Sequence, residues 1–440
     1  VRFEASDVAA ATGGRLIGPD TTVDGASIDS RSVRPGQLFV PVVAERDGHD
    51  FIGSALGAGV TTYLTSQGAR DGTDATAVEV PDTALALADL GRAARSRLTG
   101  PVVGVTGSVG KTSTKDLLAS VLATSYVTAA NERSFNNELG LPLTLMGARD
   151  DTEAVVVEMG ARGIGHIALL CDIARPTVGI VTRVEGVHLE LFGDLESVAR
   201  AKGELVEALP ADGLAVLNAD HPVVAAMADR TSAQVLRYGF TPDADVYADA
   251  LSLDDELRGS FTLHTPWGRA EVSLAARGEH QVANALAAAA AAGGIGVPIA
   301  RIAAGLGQAA ISGLRMELSR TESGVLILND AYNANPTSMA AALDSLATLN
   351  ATRRIAVLGV MAELGASAPA EHLAITERAC SLGVEVIAVD APDYGPDARH
   401  VADVDEAVAT LTDLGEGNAV LVKGSRVAAL ERVAAALSAG

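Results

Sequence analysis

The chain has 440 residues, 48% of them hydrophobic, and a formal net charge of −22 at pH 7. That is apolar material for roughly two to four packed domains and too much for a disordered chain. The diffuse negative field repels polyanions, which excludes nucleic acid and anionic membrane surfaces as partners and leaves small phosphorylated ligands held locally.

Residues 1–98 open with strand-like runs, TVDGASIDS and GQLFVPVVA, followed by DFIGSALGAGVTTYLTS, a helix and then a strand. No cationic, apolar leader precedes them, so a secretion signal is not expected. RSRLTGP, with Gly100 and Pro101, reads as a hinge. Beyond it the pattern changes to apolar runs, PVVGVTG, EAVVVEMG, TVGIVTRV and LAVLNAD, each followed by a helical segment. That alternation marks a parallel sheet covered on both faces. DVYADALSLDDELRGSFTLHTPWGRAEVSL reads as a small antiparallel insertion with TPWG as a turn. QVANALAAAAAAGGIGVPIA is uncharged for about a membrane span, but its Gly pair and Pro298 predict two close-packed helices rather than a membrane insertion. From Leu314 a third set of buried strands appears: VLILNDA, RRIAVLGVM, VEVIAVDA and NAVLVKGS. The expected fold is α/β in three domains: 1–98, small; 99–313, a central P-loop domain; and 314–440, Rossmann-like. Cys171 and Cys380, far apart and without metal-ligand spacing, read as small buried hydrophobes in a reducing compartment.

The chemistry starts at VTGSVGKTSTK, Val105 to Lys115. Strand, glycine turn and helix aim backbone N–H groups and a helix N-terminus at one point, and Lys111 adds a mobile cation. The strict GxxxxGK[ST] spacing is not met, because Val105 stands six residues before Lys111. Thr106, Gly107, Ser108, Val109, Gly110, Lys111, Thr112 and Ser113 nevertheless carry the parts that wrap phosphate, with Thr112 as a Mg²⁺ ligand. Glu158 ends a predicted strand, where ligands of a parallel sheet gather, and can hold Mg²⁺ beside Thr112. His188, taken alone, reads more readily as a packed or surface histidine than as a ligand, and Lys202 as an exposed helix lysine.

TGSVGKTSTK, SFNNELGLP, VVVEMG, HLELFGD, ARAKGEL, RGEHQVANALAA, GLRMEL, NDAYNANPTSM, VLGVMAELG and VLVKGSR occur in the order found in Mur ligases, and the resemblance covers the whole chain. DSRSVRPGQLFVPVVAERDGHDF is similar to the uridine-nucleotide domain of that family. Val109 and Val360 depart from it, standing where Asn and Asp are frequent. NDAYNANPTSM and LVKGSR resemble the members that couple D-alanyl-D-alanine to a UDP-linked muramoyl tripeptide, and no DNPR-like motif of the diamino-acid-adding members is present. The resemblance implies ATP-driven amide formation through an acyl phosphate, two Mg²⁺ ions, and a cytoplasmic monomer. By motif it implies that Thr112 and Glu158 hold one ion, that His188 and a carbamylated Lys202 hold the other, and that His280 and Asn284 lie near adenine. Arg315 and Asp330 would reach γ-phosphate and ribose. Tyr332, Asn333, Asn335, Lys423 and Ser425 would contact nucleotide or dipeptide, Asn136 and Asn137 the acyl acceptor, and Ser30 and Arg31 the UDP moiety. A related ligase with another donor or acceptor, and a P-loop kinase or ATPase, are the competing readings.

Overall fold

A computed structural model of the chain describes residues 1–132, 135–186 and 189–439. The N-terminal unit carries a five-stranded sheet in the order Arg15–Ile17, Thr76–Glu79, Thr62–Thr65, Leu38–Phe39, Ala26–Ser27, beside an antiparallel pair, Arg2–Glu4 and Thr22–Asp24. Four of the five strands are parallel, so the loops after Ser27, Phe39, Thr65 and Glu79 share one edge. Helix Thr83–Arg97 is started by Asp82, whose carboxylate accepts from the N–H groups of Ala84 and Leu85. Its apolar face, with Leu87, Leu90 and Ala94, joins a core shared with Leu141, Leu170 and Ile173 of the central unit.

RSRLTGP is not the open hinge its composition suggests. A Cβ on Gly100 would fall 1.7 Å from the Glu153 carbonyl oxygen, and the Arg95 guanidinium donates to the carbonyls of Ala174 and Leu98. The segment is pinned because glycine lets two backbones touch.

The central sheet has nine strands, ordered Gly268–Arg277, Arg258–Thr265, Val246–Leu253, Gln234–Gly239, Leu214–Asn218, Val178–Val181, Val102–Thr106, Ala154–Glu158, Thr128–Ala130. The antiparallel hairpins at one side extend this sheet rather than forming a separate body, because Val246–Leu253 pairs in parallel with Gln234–Gly239. The inner parallel strands are buried along their whole length and apolar except where Thr106 and Glu158 end two of them, as covering on both faces requires. The alanine-rich stretch is helix His280–Gly294, followed by helix Ile299–Gln308. Small side chains permit close approach: a Cβ on Gly305 would lie 2.5 Å from the Val121 Cα of the P-loop helix. Among the described residues no helix is long and apolar enough to cross a membrane.

The C-terminal sheet has the order Glu317–Arg320, Leu326–Asn329, Asn418–Lys423, Arg353–Leu358, Glu385–Val389, Arg399–Val401, parallel except for its first pairing. Separate apolar cores cover its two faces. Cys171 is buried as expected, whereas Cys380 is exposed.

Candidate active site

Strand Val102–Thr106 ends in a turn that only glycine can make. Gly107 has φ 144° and a Cβ there would lie 2.0 Å from Thr182 Oγ1; Gly110 has φ 86° and its Cβ would meet Asn284 Oδ1 at 2.5 Å. The turn is stitched to the next strand end. The Ser108 N–H donates to the Arg183 carbonyl at 2.7 Å, and the Thr182 hydroxyl donates to the Val109 carbonyl at 2.6 Å. Helix Lys111–Ala123 begins directly after Gly110, so its positive end faces the turn.

Lys111 is half-buried, and its ammonium folds back onto the carbonyls of Gly107 at 2.7 Å and Ser108 at 3.1 Å. Burial first, and then the Arg315 cation, lower its pKa, while Glu158 opposes them. The Thr112 hydroxyl donates to Glu158 Oε2 at 2.7 Å and accepts from Arg315 Nη2 at 2.9 Å. Asn136 Nδ2 donates to the other Glu158 oxygen at 2.8 Å. Five of the expected residues, from both the central and C-terminal units, therefore meet at one point. Lys202, 2% exposed on helix Leu195–Glu207, is close enough to feel Lys111 and Glu158. Desolvation first, and Lys111 second, lower its pKa to about 7. It is thus a buried amine, not the exposed helix lysine that its sequence alone suggests.

A second group lies in the C-terminal unit. Lys423, 2% exposed, donates to the Asp330 carboxylate and to the Asn333 carbonyl. Arg315 joins the two groups, stacking its guanidinium 4.3 Å from the Tyr332 ring centroid. His280 is drawn toward the second group: burial lowers its pKa, with Asp330 opposing and Lys423 assisting. The Ser425 hydroxyl accepts from the Ala362 N–H at 2.9 Å.

Other expected residues are occupied locally. Thr106 donates inward to the Met159 carbonyl, and Ser113 accepts from Gln281. Asn284 sits beneath Gly110, its oxygen accepting from Thr114 and its amide donating to Gln281. Asn335 and Asn137 serve helix starts, accepting from Ser338 N–H and Gly140 N–H. The Asn333 side chain is exposed. Ser30 and Arg31 stand on the N-terminal sheet's carboxyl edge, where Arg31 is paired with Asp29 and holds that carboxyl at about 2. His188 lies outside the described residues.

Three further contributors were not singled out from the sequence. Asn131 accepts the Glu158 N–H at 2.8 Å and fixes that strand end. The buried Lys115 ammonium donates to the Asn131 carbonyl at 2.9 Å. Glu204 caps helix His166–Ala174 by accepting from Gly165 and Ala168 N–H, and its place two residues after Lys202 is the one hint in the sequence.

Two buried oxygen donors, the Thr112 hydroxyl and the Glu158 carboxylate, suit a hard cation such as Mg²⁺. Among the described residues no group of three or more His, Cys, Asp or Glu gathers to hold a metal. Lys111 and Arg315 around one Glu158 leave net positive charge, which suits phosphate.

The family model for the Mur ligase middle domain matches residues 105–292, and that for the Mur ligase glutamate ligase domain matches 314–426. The UDP-N-acetylmuramoyl-tripeptide–D-alanyl-D-alanine ligase of Mycobacterium tuberculosis is 41% identical, over 93% of this chain and 91% of its own. A crystal structure of MurF from Acinetobacter baumannii superposes with TM-score 0.91 at 29% identity, covering 100% and 99% of the two chains. MurF from Thermotoga maritima in complex with ADP gives TM-score 0.82 at 28% identity over 95% and 97%.

Proposed function

The chain belongs to the Mur ligase family, and we propose that the cleft around Lys111 activates a substrate carboxylate by phosphorylating it. The protein is an ATP-dependent ligase that joins D-alanyl-D-alanine to a UDP-N-acetylmuramoyl tripeptide, a step of peptidoglycan precursor synthesis. The observation that carries the mechanism is the chain Arg315–Thr112–Glu158 beside Lys111, which brings cations from two units onto one P-loop.

In the first step the tripeptide carboxylate attacks the ATP γ-phosphoryl group, and ADP leaves to give an acyl phosphate; in the second the dipeptide amine attacks the acyl carbon, loses a proton, and phosphate leaves. Two anions must approach each other, so positive charge has to be concentrated where they meet. Lys111 exchanges its two loop carbonyls for phosphate oxygens, and Arg315 follows the γ-phosphoryl from the opposite wall. Thr112 and Glu158 would hold a Mg²⁺ ion, which would supply neutralisation of phosphate charge. His188 and a carbamylated Lys202 are proposed to hold a second ion. Asp330 and Tyr332 face nucleotide. The C-terminal unit excludes water from the acyl phosphate, which water would otherwise hydrolyse.

Asn136 is proposed near the acyl acceptor, and Ser30 with Arg31 near the UDP moiety. The domain divisions 1–98, 99–313 and 314–440 are part of the same reading, as are a monomer and a cytoplasmic location. Support for the monomer is that one chain supplies both walls of the cleft; sedimentation showing a dimer at working concentration would remove it. ADP release that requires both the UDP-tripeptide and D-alanyl-D-alanine tests the whole scheme, and ADP release indifferent to the dipeptide would overturn it.

A further inference from the structure

The turn after strand Arg353–Leu358 is held with unusual completeness. The Gly359 N–H donates to the Lys423 carbonyl at 2.9 Å, and the Ser425 N–H donates to the Val360 carbonyl at 2.9 Å. Side chains supply three more bonds to the same short segment. The Tyr394 hydroxyl donates to the Gly359 carbonyl at 2.8 Å, His372 Nε2 accepts from the Met361 N–H at 2.9 Å, and Ser425 Oγ accepts from the Ala362 N–H at 2.9 Å.

His372 is the buried centre of this clamp. It is 1% exposed, its Nδ1 lies 2.6 Å from the Ala368 carbonyl one helical turn back, and Tyr394 packs edge-on at 4.8 Å. A carbonyl can only accept, so the hydrogen-bond network puts the ring proton on Nδ1 and leaves the Nε2 lone pair for Met361. The turn then continues through Glu363 at φ 66° and Gly365 at φ 60°. At Gly365 it is pressed onto the central unit, where an added Cβ would lie 3.0 Å from Glu190 Cγ. It stands at the carboxyl end of a parallel strand, next to the Lys423–Asp330 pair, where ligands of such sheets gather.

From this placement we propose that His372 is a positioning residue for the amine acceptor: through the Met361 N–H it sets the 359–365 turn as the C-terminal wall of the dipeptide pocket. The proposal rests on the ligase reading above. Among the described residues the hydrogen bonds of His372 go to Met361, Ala368 and Thr376 and none goes to Lys423 or Asp330, so its loss acts on the dipeptide wall ahead of the ATP contacts.

The test uses the full chain with ATP, the UDP-tripeptide and D-alanyl-D-alanine. His372→Leu removes the acceptor and strands a buried N–H, whereas His372→Gln offers one amide oxygen to Met361 and one amide N–H to Ala368. Leu is expected to raise the dipeptide KM by roughly tenfold or more with the ATP KM within about twofold, and Gln to restore it to within about threefold. Tyr394→Phe, which deletes one hydroxyl of the same clamp, is expected to raise the dipeptide KM by roughly two- to fivefold and serves if the Leu variant does not fold. A folded Leu variant with unchanged dipeptide KM, an ATP KM rising in step, a Gln variant no better than Leu, or an unchanged Phe variant would each overturn the proposal. A wild-type chain that releases ADP without the dipeptide would instead overturn the ligase reading.

Discussion

Lys202 poses the sharpest electrostatic problem in the site, because an ammonium beside a metal position would repel the ion. Its burial and the neighbouring Lys111 cation bring its pKa down from 10.5 to about 7. At pH 7.5 such an amine is roughly three-quarters neutral, against roughly one part in a thousand for an ordinary lysine. The neutral amine adds CO₂ to give a carbamate and a proton, turning a cation into a two-oxygen anion. The Lys111 charge that disfavours the ammonium then attracts the product. The sign for stability follows from proton counting: between about pH 7 and the ordinary lysine value the folded chain holds fewer protons than the unfolded one, so this group makes unfolding harder as pH rises. Activity should accordingly fall as pH drops below about 7 at fixed CO₂, when the amine is protonated and CO₂ leaves. Labelling with ¹³C-bicarbonate should give a lysine-carbamate resonance in the wild type and none in Lys202→Ala. The Ala variant should lose at least roughly a hundredfold in turnover and regain part of it with a short carboxylic acid. An active, bicarbonate-supplied wild type with no carbamate resonance, or an Ala variant with normal turnover, would refute the reasoning.

Lys111→Ala should slow acyl-phosphate formation by at least roughly a hundredfold with the thermal midpoint little changed, since the amine touches only loop carbonyls; a loss confined to dipeptide affinity would contradict it. Gly110→Ala forces a left-handed alanine whose Cβ meets Asn284 Oδ1 at 2.5 Å, so calorimetric titration should show ATP affinity reduced by roughly tenfold or more. Asn335→Ala removes the capping box of helix Pro336–Thr348 and should cost about 1 kcal/mol in urea unfolding; an unchanged urea midpoint would show that the cap is dispensable.

The strands and the P-loop were legible because they depend on local pattern: apolar runs at a two-sided sheet, glycines where the chain must turn left-handed, and a carboxylate one strand over. Pairing Thr112 with Glu158 followed from strand ends alone. Rotamers were not legible. Thr106, Ser113 and Asn284 carry the right groups at the right positions, yet tertiary packing turns them inward. Asn335, expected as a nucleotide or dipeptide contact, caps helix Pro336–Thr348, with Pro at the first helical position and Ser at the third. The short strands Thr128–Ala130 and Gln234–Gly239 lack a long apolar run and are visible only as partners of neighbours. Gly100 reads as freedom in sequence and proves to be contact in structure.

Arg315, on the C-terminal unit, reaches Thr112 on the central one. The linker shows how. The Ser312 N–H donates to Asp116 Oδ2, one turn along the P-loop helix from Thr112, so the linker's start is registered to the central unit. Its far side is registered to the C-terminal unit: the Tyr332 N–H donates to the Leu314 carbonyl and the Met316 N–H donates to Asp330 Oδ1. Between these anchors Leu314 and Met316, flanking Arg315, are both left-handed at φ 61° and 54°, a conformation that costs a non-glycine residue about 1 kcal/mol or more. Such a pair persists only where its surroundings over-determine it, and here the surroundings are the Asp330–Lys423 pair and the Thr112 hydroxyl. The groups that hold the strained linker are therefore the groups assigned to nucleotide. The backbone bonds at Ser312 and Met316 and the Arg315–Thr112 bond thus tie residues 312–316 to both units at once.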